Sequence, residues 1–206
     1  MISIEEIREY LPSFLSQGSE QAFLDEIRQF LAKNSKQLFY SSKLSKEPIL
    51  FQGDGLEGLL VINLPDVKIR PAPVMLFSNT CDVHPDNKRL FNSCLTYAPI
   101  FSLEKYLYTL RKEHNEDRVR GHERDIRQQL ITQIFFLPDG GRLGGDCLVF
   151  LDRAMSASSS VVDRNKVPDI RLFTLSDFGA WLFVLKLSIH FCRIRDRVDR
   201  VAGVIG

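Results

Sequence analysis

A chain of 206 residues, 44% of them hydrophobic and 15 of them Phe, can bury a sizeable core, which excludes wholesale disorder. Its 27 basic and 26 acidic side chains leave a net charge of +1, so no global field draws in nucleic acid and any such contact must come from a local patch. The start, Met1-Ile2-Ser3-Ile4, has neither a basic nor an apolar leader region, and the longest apolar run, residues 178–189, is short and interrupted by Lys186; a soluble cytoplasmic protein with no membrane partner is expected.

Residues 1–47 form an expected amino-terminal helical segment. Ser3 with Glu6 makes a capping box ahead of Ile4, Ile7 and Leu11 at helical spacing, and Pro12 and Gly18 end that run. Ser19 then reads as the N-cap of a second helix with Phe23, Ile27, Phe30 and Leu31 on one face, followed by a polar linker at residues 41–46. From residue 48 the texture changes to short apolar runs at 58–64, 74–78, 132–137 and 147–151. Pro65-Asp66, Pro138-Asp139-Gly140-Gly141 and Gly144-Gly145 separate them. This punctuation predicts a compact antiparallel sheet or small barrel. A charged insertion at 103–130, nearly free of Gly and Pro, predicts one or two helices. Thr174 to Asp177 offers a capping signal before Phe178, Trp181, Leu182, Leu185 and Ile189, a carboxy-terminal helix expected to pack on the sheet. Residues 193–206 form a basic tail. The fold class expected is therefore α+β, with the barrel domain spanning 48–192.

The richest polar cluster follows the 74–78 run: Ser78, Asn79, Cys81, Asp82 and His84 lie within seven positions of one another, behind Arg70-Pro71. A rigid strand that delivers such groups at its end is a common way to build a site. Cys81 and His84 suggest a thiolate–imidazolium pair with Asp82 orienting the ring; the alternative is a buried thiol followed by a turn at His84-Pro85-Asp86-Asn87. Cys81, His84 and Cys94 have zinc-compatible spacing but lack a second chelating pair, so no metal is expected. Cys81, Cys94, Cys147 and Cys192 contain no Cys-x-x-Cys pair and read as free thiols of a reducing compartment. In the insertion, Arg111, Lys112, Arg118, Arg120, Arg124 and Arg127 alternate with acids, a pattern of solvated helices held by i,i+4 pairs.

Several of these pieces, in this order, resemble the PemK/MazF-like toxins: Gly58-Leu59-Leu60-Val61-Ile62-Asn63-Leu64-Pro65-Asp66; Arg70-Pro71 ahead of Val74-Met75-Leu76-Phe77-Ser78-Asn79; Ala98-Pro99-Ile100-Phe101-Ser102; and Leu143-Gly144-Gly145 running to Asp152. The resemblance covers residues 53–192. It implies a small SH3-like antiparallel barrel with a carboxy-terminal helix, often a homodimer, in a toxin-like or defence-associated RNA-processing module with an antitoxin-like partner. It implies metal-independent and cofactor-free RNA cleavage by the substrate's own 2′-hydroxyl, with Arg70 stabilising the phosphorane and Ser102 assisting. Ser78, Asn79, Cys81, Asp82 and His84 would line the substrate groove. Phe101 stands where that family usually carries Thr, Ala72-Pro73 are additional, and Thr80-Cys81-Asp82 lies outside the pattern. These departures define the alternative: a non-enzymatic protein- or nucleic-acid-interaction module on the same barrel.

Overall fold

The computed structural model describes residues 39–192. The expected helices before residue 39 and the basic tail after residue 192 lie outside the described residues. Residues 39–47, the described end of the amino-terminal segment, are not helical: Tyr40 forms an isolated antiparallel bridge with Leu175, and turns follow.

The expected α+β class holds, with a seven-stranded antiparallel sheet at its centre. The strands are β1 (Gly55–Asn63), β2 (Lys68–Leu76), β3 (Cys94–Ser102), β4 (Ile134–Leu137), β5 (Cys147–Phe150), β6 (Met155–Ser158) and β7 (Arg171–Phe173). They run β4-β5-β3-β2-β1-β7 across the sheet, with β6 also on β3. Among the described residues the helices are α1 (Thr80–Val83), α2 (Leu103–Leu110), α3 (Glu116–Arg127), α4 (Val167–Ile170) and α5 (Asp177–Cys192). The expected insertion thus becomes α2 and α3, and the expected closing helix becomes α5. β6 and β7 are too short and too polar at their ends for the apolar-run criterion to find.

Two irregularities shape the sheet. Leu56 faces Val74 and Leu59 faces Ala72, so three steps on β1 meet two on β2. The extra residue is a bulge, and Gly58 takes φ +84°, the left-handed conformation that L side chains rarely adopt. On the other side of the sheet, Ile100 of β3 faces Val149 and Tyr97 faces Met155: three steps on β3 meet six along β5 and β6. The one-turn 3-10 helix Leu151–Arg153 takes up the difference and swings Arg153 out of the ladder.

Strand alternation divides the core. Met75 and Phe77 join Ala98, Ile100, Phe135, Leu137 and Val149 under Phe178 and Phe183 of α5. Val74 and Leu76 face the opposite way, into a second cluster with Leu50, Leu56, Leu95 and Val167. A third cluster seats Leu103 and Leu107 of α2 and Val119 and Ile126 of α3 on Phe136 and Leu148. Phe183 is fully buried, with ring centroids 5.2 Å from Phe135 and 5.3 Å from Phe77. Burial of such a ring stabilises by about 1.5–3 kcal/mol before any ring-pairing gain.

Two buried basic side chains act as clasps. Arg171, at 4% exposure, donates from Nε to Asp54 Oδ2 at 3.1 Å and from Nη1 to the carbonyls of Leu44 (2.8 Å), Ser45 (3.1 Å) and Glu47 (2.9 Å); Nη2 donates to Ile49 O. The stretch expected to be a loose linker is therefore fastened down by its backbone. Lys186 of α5 donates from Nζ to Gln129 O and Oε1, both at 3.0 Å, to Ile131 O at 2.8 Å and to Ile134 O. Gln129 in turn pairs through its side chain with both backbone groups of Phe136, 2.8 Å to the carbonyl and 3.1 Å from the N–H. A single side-chain amide so continues the ladder beyond edge strand β4.

Candidate nucleic-acid interface

The residues expected to form the site divide between two places. Ser78 Oγ accepts from Thr96 N–H at 2.7 Å, tying the end of β2 to β3. Asn79 is the N-cap of α1, its Oδ1 accepting from Cys81 N–H at 2.9 Å. Cys81 is exposed, and its carbonyl accepts from Asn87 Nδ2 at 2.7 Å. Asp82 pairs with Arg89, and His84 turns to the following loop, where Nδ1 accepts from Asp86 N–H at 3.2 Å. Asn79 and His84 thus close a cap and a turn where an extended strand end converts into one helical turn, while Ser78 and Asp82 tie that turn to β3 and to Arg89. Among the described residues no three His, Cys, Asp or Glu side chains come together as metal ligands would.

Arg70 lies on β2 opposite Val61, exposed. The β2–β3 ladder covers Val74–Leu76 alone, so Arg70 belongs to an outer ribbon of β1 and β2 with Leu60, Ile62 and Ile69 exposed beside it. Asp66 pairs with Lys68 at 3.2 Å rather than with Arg70. Ser102 ends β3 and N-caps α2, its Oγ accepting from Lys105 N–H at 3.3 Å. The cap explains why Leu103–Leu110 starts where it does, with Glu104 in the first turn.

Ser102 is also part of the wall of a groove of about 640 Å³. The groove brings together the ends of β3 and β5, the first turns of α2, the loop before β5, and β7. Ile100, Leu143 and Leu172 make its apolar floor; Phe101, Tyr106 and Phe150 supply rings; Lys105, Arg142 and Arg153 supply charge, with Glu57 opposite Arg142. Volume and composition match a site that takes a ligand with flat apolar and anionic parts.

The rings form a connected edge-to-face cluster. Phe101 and Phe150 meet edge to face at 5.6 Å, and Tyr106 meets Phe150 edge to face at 5.7 Å. The Arg153 guanidinium lies 4.6 Å from the Phe150 centroid and 5.2 Å from that of Phe101. Tyr106 is fixed from below by a 2.9 Å hydrogen bond between its hydroxyl and His122 Nε2. Burial raises the Tyr106 phenol above its ordinary value, with Arg153 opposing, which keeps it a neutral hydrogen-bonding group. Among the described residues neither Lys105 nor Arg153 has an ion-pair partner. Arg142 does: Nη2 reaches Glu57 Oε2 at 3.3 Å, while Nη1 donates to Asp169 O at 2.6 Å and Arg171 O at 3.3 Å.

Cys147 also lines the groove, yet burial, aided by Asp146 and Asp139, pushes its thiol up to about 11, and Sγ donates to Gly145 O at 3.4 Å. It stays protonated at neutral pH and is a poor nucleophile there. A smaller cleft of about 310 Å³ lies behind α2, where Arg127 is matched by Asp146 at 2.6 Å and Glu123 at 2.8 Å. Both arginines that line it are engaged, Arg127 by these acids and Arg111 by Glu116. Of the other basic residues of the insertion, Arg111 pairs with Glu116, Arg120 with Asp117 and Arg124 with Asp125, at spacings other than the expected i,i+4, which Arg127 with Glu123 alone among these shows, and Lys112 lies over the Tyr108 ring.

Sequence reasoning missed Lys105, Tyr106, Arg142, Phe150 and Arg153 as members of a common site. They sit up to 48 positions apart, and the local signs, Lys105 next to Tyr106 and Phe150 near Arg153, are two separate pairs of a basic with an aromatic residue that nothing in the sequence joins. Neither a family model nor a characterised protein matches this sequence.

Proposed function

We propose that the groove binds single-stranded RNA and that the chain is a non-catalytic nucleic-acid-interaction module on a PemK/MazF-like, SH3-like barrel. One observation carries the reading: Arg153, without a counter-ion among the described residues, stacks on Phe150 and Phe101 while Lys105 stands beside them. Cations interleaved with rings suit a single strand, because phosphates meet charge and unpaired bases meet π faces. The barrel part of the proposal is supported by the bulge at Gly58 and the 3-10 insertion along β3, the devices by which small sheets curl. The test is fluorescence anisotropy of a labelled oligoribonucleotide with the full chain and its Arg153→Ala variant. Binding that weakens in the variant supports the reading; equal binding by both removes the groove from it.

A ribonuclease reading has its own supporting observation, since Ser102 lies in the wall of this groove. It brings with it the toxin-like role, the antitoxin-like partner and the homodimer. Against it, the Ser102 hydroxyl is engaged by the α2 cap and Arg70 is not among the groove residues. Incubation of defined RNA with the protein under chelator separates the two: cleavage that disappears in Arg70→Ala favours the enzyme, and intact RNA with retained binding favours the module.

A further inference from the structure

We infer that Glu57 is a built-in competitor for phosphate at Arg142, so that the third cation of the groove is offered only to a ligand able to displace a carboxylate. This rests on the RNA-binding reading above and adds a specificity-determining residue to it.

The argument begins with how Arg142 is held. Its backbone N–H donates to Leu172 O at 2.8 Å, and its Nη1 is committed to the carbonyls of Asp169 and Arg171. The guanidinium is thereby placed by backbone acceptors, and the Nη2 end is left for a ligand at the groove wall. Glu57 takes that end, at 3.3 Å. Its own position comes from β1, next to the bulge at Gly58, so the carboxylate is presented by a strand. The Nη2 end that donates to a carboxylate oxygen can donate equally to a phosphate oxygen, which makes Glu57 a local stand-in for the ligand.

The pair is weak enough to exchange. The two side chains are 53% and 59% exposed, and pairs in such settings hold loosely and are screened by salt. Lys105 and Arg153, by contrast, have no such competitor among the described residues. A short single strand is therefore expected to neutralise two phosphates readily and a third only by displacing Glu57.

Salt dependence reads this count directly. Each phosphate neutralised on a single strand contributes about 0.7 to the slope of log affinity against log salt. The native chain should give a slope near −1.4, and Glu57→Gln, which frees Arg142, a slope near −2.1. Affinity at low salt should rise by roughly two- to fivefold, the range set by release of an exposed ion pair. The experiment uses fluorescein-labelled octauridylate, the full chain, and the variants Glu57→Gln, Arg142→Gln, the double variant and Arg153→Ala, each checked by its thermal unfolding midpoint. A steeper slope and tighter binding in Glu57→Gln, both lost in the double variant, support the inference. If octauridylate binds the native chain, weakens in Arg153→Ala, and binds Glu57→Gln with unchanged affinity and slope, competition is overturned while the groove reading stands. If folded native chain and folded Glu57→Gln both fail to bind, the RNA reading falls and the competitor role falls with it.

Discussion

Replacing Arg171 by Met should destabilise the fold by about 3–5 kcal/mol at neutral pH, because it strands a buried carboxylate without its cation. Asp54 is fully buried, and its Oδ2 accepts from Arg171 Nε and from Phe51 N–H, both near 3 Å. Burial raises its carboxyl from the ordinary 3.8 to about 6, with Arg171 the main opposing influence. A raised carboxyl pKa means that the folded state holds the proton to a higher pH than the unfolded chain does. The stability it contributes is fully present below 3.8 and is lost as pH rises through about 6, a swing of roughly 3 kcal/mol for a shift of this size. Without Arg171 the opposing influence disappears and the pKa climbs further. The cost of Arg171→Met should therefore be greatest at about pH 8 and shrink at about pH 4.5, where Asp54 is neutral and the orphaned carbonyls of the 44–49 segment account for the remainder. Urea unfolding of the native chain, Arg171→Met, Asp54→Asn and the double variant at both pH values measures this. The double variant should recover much of the loss at the higher pH. A penalty below about 1 kcal/mol, or one that is the same at both pH values, would refute the reasoning.

In the groove, Arg153→Ala should lower affinity for octauridylate by roughly two- to fivefold, from cation–π stacking lost at an exposed site, and flatten the salt slope by about 0.7, both read by anisotropy. Ser102→Ala removes the α2 cap and should cost about 0.5–2 kcal/mol in urea unfolding; an unchanged midpoint would mean that the hydroxyl has no capping role. Phe183→Ala, which empties the space between Phe135 and Phe77, should cost about 3–5 kcal/mol by the same measure. Lys186 tests the second clasp by pH. Burial lowers its amine from 10.5 to about 7, so the folded chain sheds a proton that the unfolded chain keeps, and native stability should rise between those values relative to Lys186→Met. A flat difference would show that the four surrounding oxygens hold the ammonium charged against the pull of burial.

Local signals were legible wherever the local chain decides the outcome. The capping pattern at Thr174 to Asp177 leads into α5, the mixed charges of 103–130 become α2 and α3 with internal ion pairs, and the apolar runs at 74–78, 132–137 and 147–151 overlap β2, β4 and β5. What stayed hidden depends on partners far away in sequence. β7 is three residues long and exists because Gly55 and Leu56 of β1 lie beside it. The polar 41–46 stretch reads as a linker, since nothing in it says that an arginine 124 positions later will collect the Glu47 carbonyl. Gln129 at φ 58° is equally unreadable, because the αL conformation of a non-glycine residue is compensated by Lys186 and Phe136.

The strand-end cluster and the groove carry a more general argument. Ser78, Asn79, Asp82 and His84 drew attention because they are dense in sequence, yet Asn79 and His84 satisfy backbone groups two positions away, as a cap followed by a turn requires, and Ser78 and Asp82 are engaged by Thr96 and Arg89. A ligand site demands the opposite arrangement, side chains from distant elements that converge without satisfying one another. Phe101 illustrates the difference. Judged by the resemblance it is a departure that removes a hydroxyl; in the fold it is half of the platform on which Arg153 rests. Its neighbour Ser102 keeps the hydroxyl but engages it in starting α2, and that helix then carries Lys105 and Tyr106 to the groove. Under the proposed reading, Phe101 thus offers a stacking surface at the strand end where the resemblance implies a reacting hydroxyl, and the two differ as holding RNA differs from cleaving it.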